Sequence, residues 1–170
     1  MLNGKEVSLP EMLECRERRA YKQREYIQQY KCPVISFCMN IPGPVKTTPE
    51  IRLAFHDGKM QMINALAEAG YSILDSDEIH AVTGDEMIIC VDCPKAAYLK
   101  DITSKIEETH PLGRLFDMDV IDIDGNKLSR SFFRKCLLCG RQAQECAASR
   151  RHSVEEMQEV ISQMLSDFMR

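Results

Sequence analysis

No apolar run in these 170 residues approaches the roughly 18 to 20 residues needed to cross a bilayer, so no membrane span is expected. The opening MLNGKEVSLPEM lacks the apolar centre of a secretory signal, and the expected location is the cytosol. Positive charge is not in excess: a formal net charge of -4 argues against a protein that coats nucleic acid through bulk charge. Internal repeats and low-complexity tracts are also lacking. What remains, 44% hydrophobic and 28% charged, is the composition of an ordinary globular protein, long enough to bury a core without disulfide staples. A single domain over residues 1–170 is the economical expectation.

Against these absences stand eight cysteines. In a reducing compartment their clusters suggest metal or redox chemistry more than a disulfide framework. Charge is also unevenly spread. From Lys127 to His152 there are seven cations (Lys127, Arg130, Arg134, Lys135, Arg141, Arg150, Arg151) against the single acid Glu145. Such a local basic surface suits an anionic ligand or an acidic partner.

Ser8 and Glu11 have the form of a capping box, and Leu9, Leu13, Ala20 and Ile27 then recur along one side of a charged helix of about five turns. Val34 to Asn40 reads as a buried strand ended by the turn Pro42-Gly43-Pro44. One helix or two follow, bent near Asp57-Gly58, with Met62, Ile63 and Leu66 inward and Gly70 as the stop. YSILDS and EMIICVD are short strands, and a helix from Pro94 to about Thr109 ends at His110-Pro111-Leu112-Gly113. Asp124-Gly125 signals a hairpin that returns through Lys127 to Arg130. A last amphipathic helix begins at Ser153, with Glu156 completing a second capping box. The order predicts an α+β fold with a mixed or mainly antiparallel sheet flanked by helices.

Within GRLFDMDVIDIDG (Gly113–Gly125), strand alternation puts Asp117 and Asp119 on one face, where their carboxylates can share a divalent ion. Mg²⁺ prefers such hard oxygen ligands together with substrate phosphates, a combination suited to phosphoryl or nucleotidyl transfer. The bland alternative is a strand edge facing water. Asp122 and Asp124 read as turn residues. Arg114 is out of phase with the pair and reaches it only if the strand starts after it. Asp92, at a strand end, is a third carboxylate that either serves as general base or faces solvent.

Arg150, Arg151 and His152 precede the Ser153 cap, where backbone N–H groups favour an anion, so they form a candidate phosphate seat; two solvated arginines are the alternative. Lys46 and Arg52 are weaker candidates for the same task. Cys136, Cys139, Cys146 and His152 can supply three thiolates and an imidazole to tetrahedral Zn²⁺, provided that the chain breaks any helix between Cys146 and His152. Buried free thiols or a redox pair remain open for these cysteines, which sit in a small Cys/Arg-rich module over 131–152. Cys90 and Cys93, three apart on or beside a strand, should face opposite ways and read as core thiols. His110 reads as structural at a helix end, with proton transfer as the alternative.

NIPGPVK (Asn40–Lys46), EETHPLGRLFDMDVI (Glu107–Ile121) and CLLCGRQAQECAASRRHS (Cys136–Ser153) resemble, in the same order, signature segments of the citrate lyase holo-acyl-carrier-protein synthases, also called apo-citrate lyase phosphoribosyl-dephospho-CoA transferases. The resemblance implies a nucleotidyltransferase. It would move phosphoribosyl-dephospho-CoA from a triphosphoribosyl donor to a serine of the citrate lyase acyl carrier subunit, releasing pyrophosphate, on a nucleotidyltransferase-like strand carrying Asp117 and Asp119 with Mg²⁺ and with Arg114 beside them. Two other readings stay open: a nucleotidyltransferase with a different acceptor, and a non-catalytic zinc-containing adaptor for an acidic partner. Neither membrane nor nucleic acid is an expected partner.

Overall fold

Ser8 caps the first helix of the computed structural model, which describes residues 2–170. Its hydroxyl accepts from the Glu11 amide while the Glu11 carboxylate accepts from the Ser8 amide at 2.8 Å, the reciprocal pair that the sequence predicts. Helix α1 (Leu9–Tyr30) ends at Lys31 in a left-handed conformation. Its apolar stripe differs from expectation. Leu9 and Leu13 are exposed, and the helix instead buries Cys15, Tyr26 and Ile27. The reason lies underneath it: Tyr26 and Ile27 meet a small apolar patch of Val34, Ile88, Cys90 and Ile121, whereas the first half of the helix lies near a buried carboxylate, Glu86.

Strand β1 (Val34–Met39) is followed by helix α2 (Pro49–Glu68), which is one uninterrupted helix rather than two. Gly58 does not break it because the glycine serves a close approach: a Cβ there would lie 2.7 Å from Phe116 and 2.9 Å from Phe37. Strands β2 (Ser72–Ala81) and β3 (Gly84–Asp92) then form a hairpin longer than the two short strands expected. The acids Asp75, Asp77 and Glu78 hide β2 from a hydrophobicity reading, but an edge strand tolerates them and is protected by them. Helix α3 (Ala96–Thr109), a 3₁₀ turn (Gly113–Leu115) and strand β4 (Phe116–Ile121) complete the body. The sheet order is β2-β3-β1-β4, every neighbouring pair antiparallel, so the fold is α+β as predicted.

Main-chain and side-chain groups together close the free edge of β4. The return from the Asp124-Gly125 turn is a single bridge, Ile121 to Lys127, with the Leu128 amide donating to the Val120 carbonyl at 2.8 Å; it is not the full hairpin expected. Beyond it, Glu107 accepts from the Met118 amide at 2.9 Å, Lys100 donates to the Met118 carbonyl at 3.4 Å, and Arg134 donates to the Phe116 carbonyl at 2.6 Å. Charged side chains thus take the place of a fifth strand. Residues 129–142 carry no helix or strand, and α4 (Ala143–Ala148) and α5 (Val154–Phe168) follow.

The main core fills the sheet face covered by α2, α3 and α5. Phe37 stacks on Phe55 at 4.8 Å and meets Phe116 edge-on at 5.4 Å, with Met62, Leu66, Leu99 and Ile161 around them. Cys93 joins this core and Cys90 the patch under α1, so the pair faces opposite ways as core thiols.

Candidate active site

The pairing register places Asp117 opposite Cys38 and Asp119 opposite Ser36, on the α1 side of the sheet. Across β1 the same row continues to Glu86, giving Glu86, Cys38 and Asp117 side by side on three strands. Glu86 is buried, closely paired with Arg19, 3.5 Å from Arg18, and accepts from the Cys15 thiol at 2.8 Å. Burial pushes the Cys38 thiol up to about 12, so between its acidic neighbours it stays a neutral thiol and not a nucleophile. Lys127 reaches Asp119 at 2.7 Å.

The two aspartates open into a cavity of about 680 Å³ whose other charged walls are Lys100, Lys127, Arg130 and Arg134. Only one of these cations, Lys127, is bonded to the pair. Arg130 and Arg134 are held by Glu107, a fully buried carboxylate. Burial raises the Glu107 pKa, against the Met118 amide and the two guanidinium groups that favour its ionised form. Burial also lowers Lys100. Arg134 keeps its Nε–H buried with no partner.

A second cavity of about 590 Å³ adjoins the first through the shared residues Asn40, Arg134, Ala143 and Ala147. Its wall is more apolar, with Pro42, Leu115, Leu137, Met157 and Ile161, and carries Arg114 and Arg150 as its remaining cations. Strand β4 starts two residues after Arg114, which leaves the arginine on the 3₁₀ turn and points it into this second cavity rather than beside the aspartates. A polar, cationic chamber that joins an apolar one can hold a molecule with phosphates at one end and an uncharged body at the other.

The sequence model of the apo-citrate lyase phosphoribosyl-dephospho-CoA transferases matches residues 7–168. The chain belongs to that family. A Vibrio cholerae protein named as a probable apo-citrate lyase phosphoribosyl-dephospho-CoA transferase is 37% identical over 166 residues, covering 95% of this chain and 93% of its own length. Proteins named as apo-citrate lyase phosphoribosyl-dephospho-CoA transferases from Citrobacter koseri and Escherichia coli are 34% identical over 155 residues (89% of this chain, 84% of theirs) and 32% over 165 (95% and 90%). As a member of this family the chain is a transferase.

The other sequence candidates fall at varied distances from the two chambers of this family member. Arg150 lines the apolar one, and Arg151 lines neither. The Ser153 cap is already satisfied: Glu156 accepts from the Ser153 amide at 2.8 Å, and the Ser153 hydroxyl accepts from the Glu156 amide at 3.1 Å. Glu155 and Glu156 fill the first turn of α5, so an anion there would meet two carboxylates. Lys46 donates to the Ile41 carbonyl at 2.7 Å, and Arg52 faces Asp85 at 3.8 Å in a small separate cavity with His56, Lys59, Glu78 and His80. Asp92 is exposed at the far end of β3, six residues or about 20 Å along the strand from Glu86, so it does not join the aspartate pair. His110 donates from Nε2 to Asp57 at 2.6 Å while its Nδ1 accepts from the Leu112 amide at 3.0 Å. Both ring nitrogens are thereby committed, and the imidazole packs on Phe116 and Phe168 as a structural group.

Cys136, Cys139, Cys146 and His152 converge, their ligand atoms all within 4.8 Å of one another. The helix break that this spacing demands is present: α4 stops at Ala148, and Arg150 adopts a left-handed conformation with φ 48°. His152 therefore belongs to the cysteine group while also lining the apolar cavity. Sequence reasoning missed Glu86, Lys100 and Glu107 as parts of the site, and placed Arg134 only in a general basic surface. Each has a charged residue beside it in sequence (Asp85, Asp101, Glu108 and Lys135), so no local pattern tells these wall residues from surface ones.

Proposed function

We propose that the protein transfers the phosphoribosyl-dephospho-CoA group from its triphosphoribosyl donor to a serine of the citrate lyase acyl carrier subunit in the cytosol, releasing pyrophosphate. The observation that carries this reading is the joining of the Asp117/Asp119 chamber, with its four cations, to an apolar chamber of similar size. Lys100, Lys127, Arg130 and Arg134 bind the donor's triphosphate, and Arg114 and Arg150 guide the remainder of the donor into the apolar chamber.

Asp117 and Asp119 are hard oxygen ligands on one strand face, a donor set that fits Mg²⁺; such an ion supplies charge neutralisation on the phosphates. The carrier serine attacks the phosphorus attached to the ribose, a P–O bond forms to the serine oxygen, and the bond to the leaving pyrophosphate breaks. Arg134, with its unpartnered Nε–H, and Arg130 stabilise the departing negative charge, while a nearby carboxylate takes the serine proton. Glu107 acts at one remove, as a positioning residue that fixes both guanidinium groups. The mouth of the chamber carries Lys127 and Arg130 together with Phe132 and Phe133, which are 78% and 77% exposed, a rim suited to an acidic carrier.

The test is mass spectrometry of the carrier subunit after incubation with donor, Mg²⁺ and enzyme. The expected product carries the mass of the added group on one serine, and formation is lost with Asp117→Asn. An unmodified carrier, or full modification by Asp117→Asn and Asp119→Asn, overturns the reading.

A further inference from the structure

The segment that roofs both chambers has little apolar material to hold it in shape. Between the end of β4 and the start of α5 its regular structure is the six-residue α4 and two isolated bridges, Ile121 to Lys127 and Lys135 to Gln142. Two of its largest apolar side chains, Phe132 and Phe133, lie in solvent. Yet Arg134, Ala143 and Ala147 from this segment form the partition between the chambers. Something other than hydrophobic burial must fix it.

The chain supplies the parts. In Cys136-x-x-Cys139-Gly140 the Gly140 amide donates to the Cys136 carbonyl at 3.3 Å and the Cys136 amide to the Arg141 carbonyl, a closed turn that brings both sulfurs together. Gly140 takes the left-handed conformation that this turn needs, φ 69°. Cys146 arrives from α4, its sulfur 3.4 Å from that of Cys139. His152 returns after the left-handed Arg150, and its Nε2 is buried without any hydrogen-bond partner. An imidazole nitrogen so placed is an unmet ligand.

We infer that Cys136, Cys139, Cys146 and His152 bind one zinc ion, and that this ion clasps the roof segment over the two chambers. Zn–S bonds of about 2.3 Å set tetrahedral sulfurs about 3.8 Å apart, and the ligand atoms, all within 4.8 Å of one another, need only a small inward shift to surround one ion. Three thiolates and a nitrogen are too soft a set for magnesium or calcium. A disulfide is the poorer use of the same atoms, since an odd thiol and the imidazole would be left over. Four protein ligands close the site, so the metal is structural and does not take part in group transfer.

The experiment reads the metal itself and stands apart from the transfer reaction. Full-length protein is purified from zinc-supplemented cells, its metal content is measured by plasma mass spectrometry, and the zinc-free protein is titrated with Co²⁺. One zinc per chain and the visible bands of a tetrahedral cobalt–thiolate centre are expected, with loss of both in Cys139→Ser and retention of both in Cys32→Ser, a cysteine outside the group. Hydrogen exchange should rise across residues 131–152 on zinc removal and stay unchanged in β1, β3 and β4. Metal-free protein with no cobalt bands, or a peptide map joining Cys139 to Cys146 by a disulfide, overturns the inference, whether or not the variant folds.

Discussion

Under α2, α3 and α5 the sheet presents Phe37, Met87, Ile89, Phe116, Met118 and Val120, all buried among other apolar groups. Its opposite face has the small patch around Val34, Ile88, Cys90 and Ile121 beneath α1, and beside that patch the carboxylates of Glu86, Asp117 and Asp119. One face holds the fold and the other is free to carry charge. Carboxylates that approach one another, or that await a cation, cost stability in the absence of ligand, and a continuous apolar core on the other side offsets that cost. Four strands suffice because the same residues serve both faces: each strand of alternating side chains gives one set to the core and the other to the chemistry.

The contrast is broken most severely from the core side. Phe37→Ala removes the ring stacked between Phe55 and Phe116 and should cost about 3–5 kcal/mol of stability, read by chemical denaturation, with the activity of the folded fraction less affected. From the other side, Asp119→Asn should lower the transfer rate by about 10²–10³ while the melting temperature stays near that of the parent, because the carboxylate is bonded only to the exposed Lys127. A variant that lost stability and activity in parallel would show that the two faces are not separable.

Glu107→Gln tests the seam where they meet. Leaving Arg130 and Arg134 without their shared buried counter-charge should cost about 3 kcal/mol and, by loosening both guanidinium groups, raise the donor's KM. Arg150→Glu should raise the same KM with little change in stability, since the side chain is exposed at the chamber wall. The smallest effect lies far from both. Tyr30 donates to Asp75 at 2.6 Å, and this bond, followed by that from the Ser76 amide, holds the Asp75 carboxyl below its ordinary value of 3.8. A carboxylate depressed on folding stabilises the native state above its unfolded pKa and loses that contribution as pH falls through the depressed value. Tyr30→Phe should therefore leave stability below that acid range unchanged and lower it slightly above, a difference visible in urea melts on either side of pH 4.

Local chemistry was readable where it was local. The two capping boxes, the Pro-Gly-Pro break after β1, the turn at Asp122–Gly125 and the opposed thiols of Cys90 and Cys93 each depend on residues a few positions apart, and each is observed. The Asp117/Asp119 pair was legible for the same reason, as was the cysteine group, whose required helix break appears at Arg150. Leu9 and Leu13 misled because an apolar helical stripe says nothing of what it will meet. Gly58 misled because a glycine that admits two phenylalanine rings looks the same in sequence as one that ends a helix. Lys46, Arg52 and Arg151 were plausible phosphate ligands by type, but chain position alone could not show that they line neither chamber.

By itself, the sequence determined the α+β class, the capped helix starts at Ser8 and Ser153 and the strand face shared by two aspartates, because each follows from backbone periodicity or short-range bonding. Tertiary structure alone decided that Glu86 would stand in the row with Asp117, that Glu107 would gather Arg130 and Arg134 at the open edge of β4, and that Arg134 would divide two chambers. Those groups come together through strand order and the closing of a sheet edge, contacts between residues from about twenty to nearly ninety positions apart whose geometry no local pattern encodes.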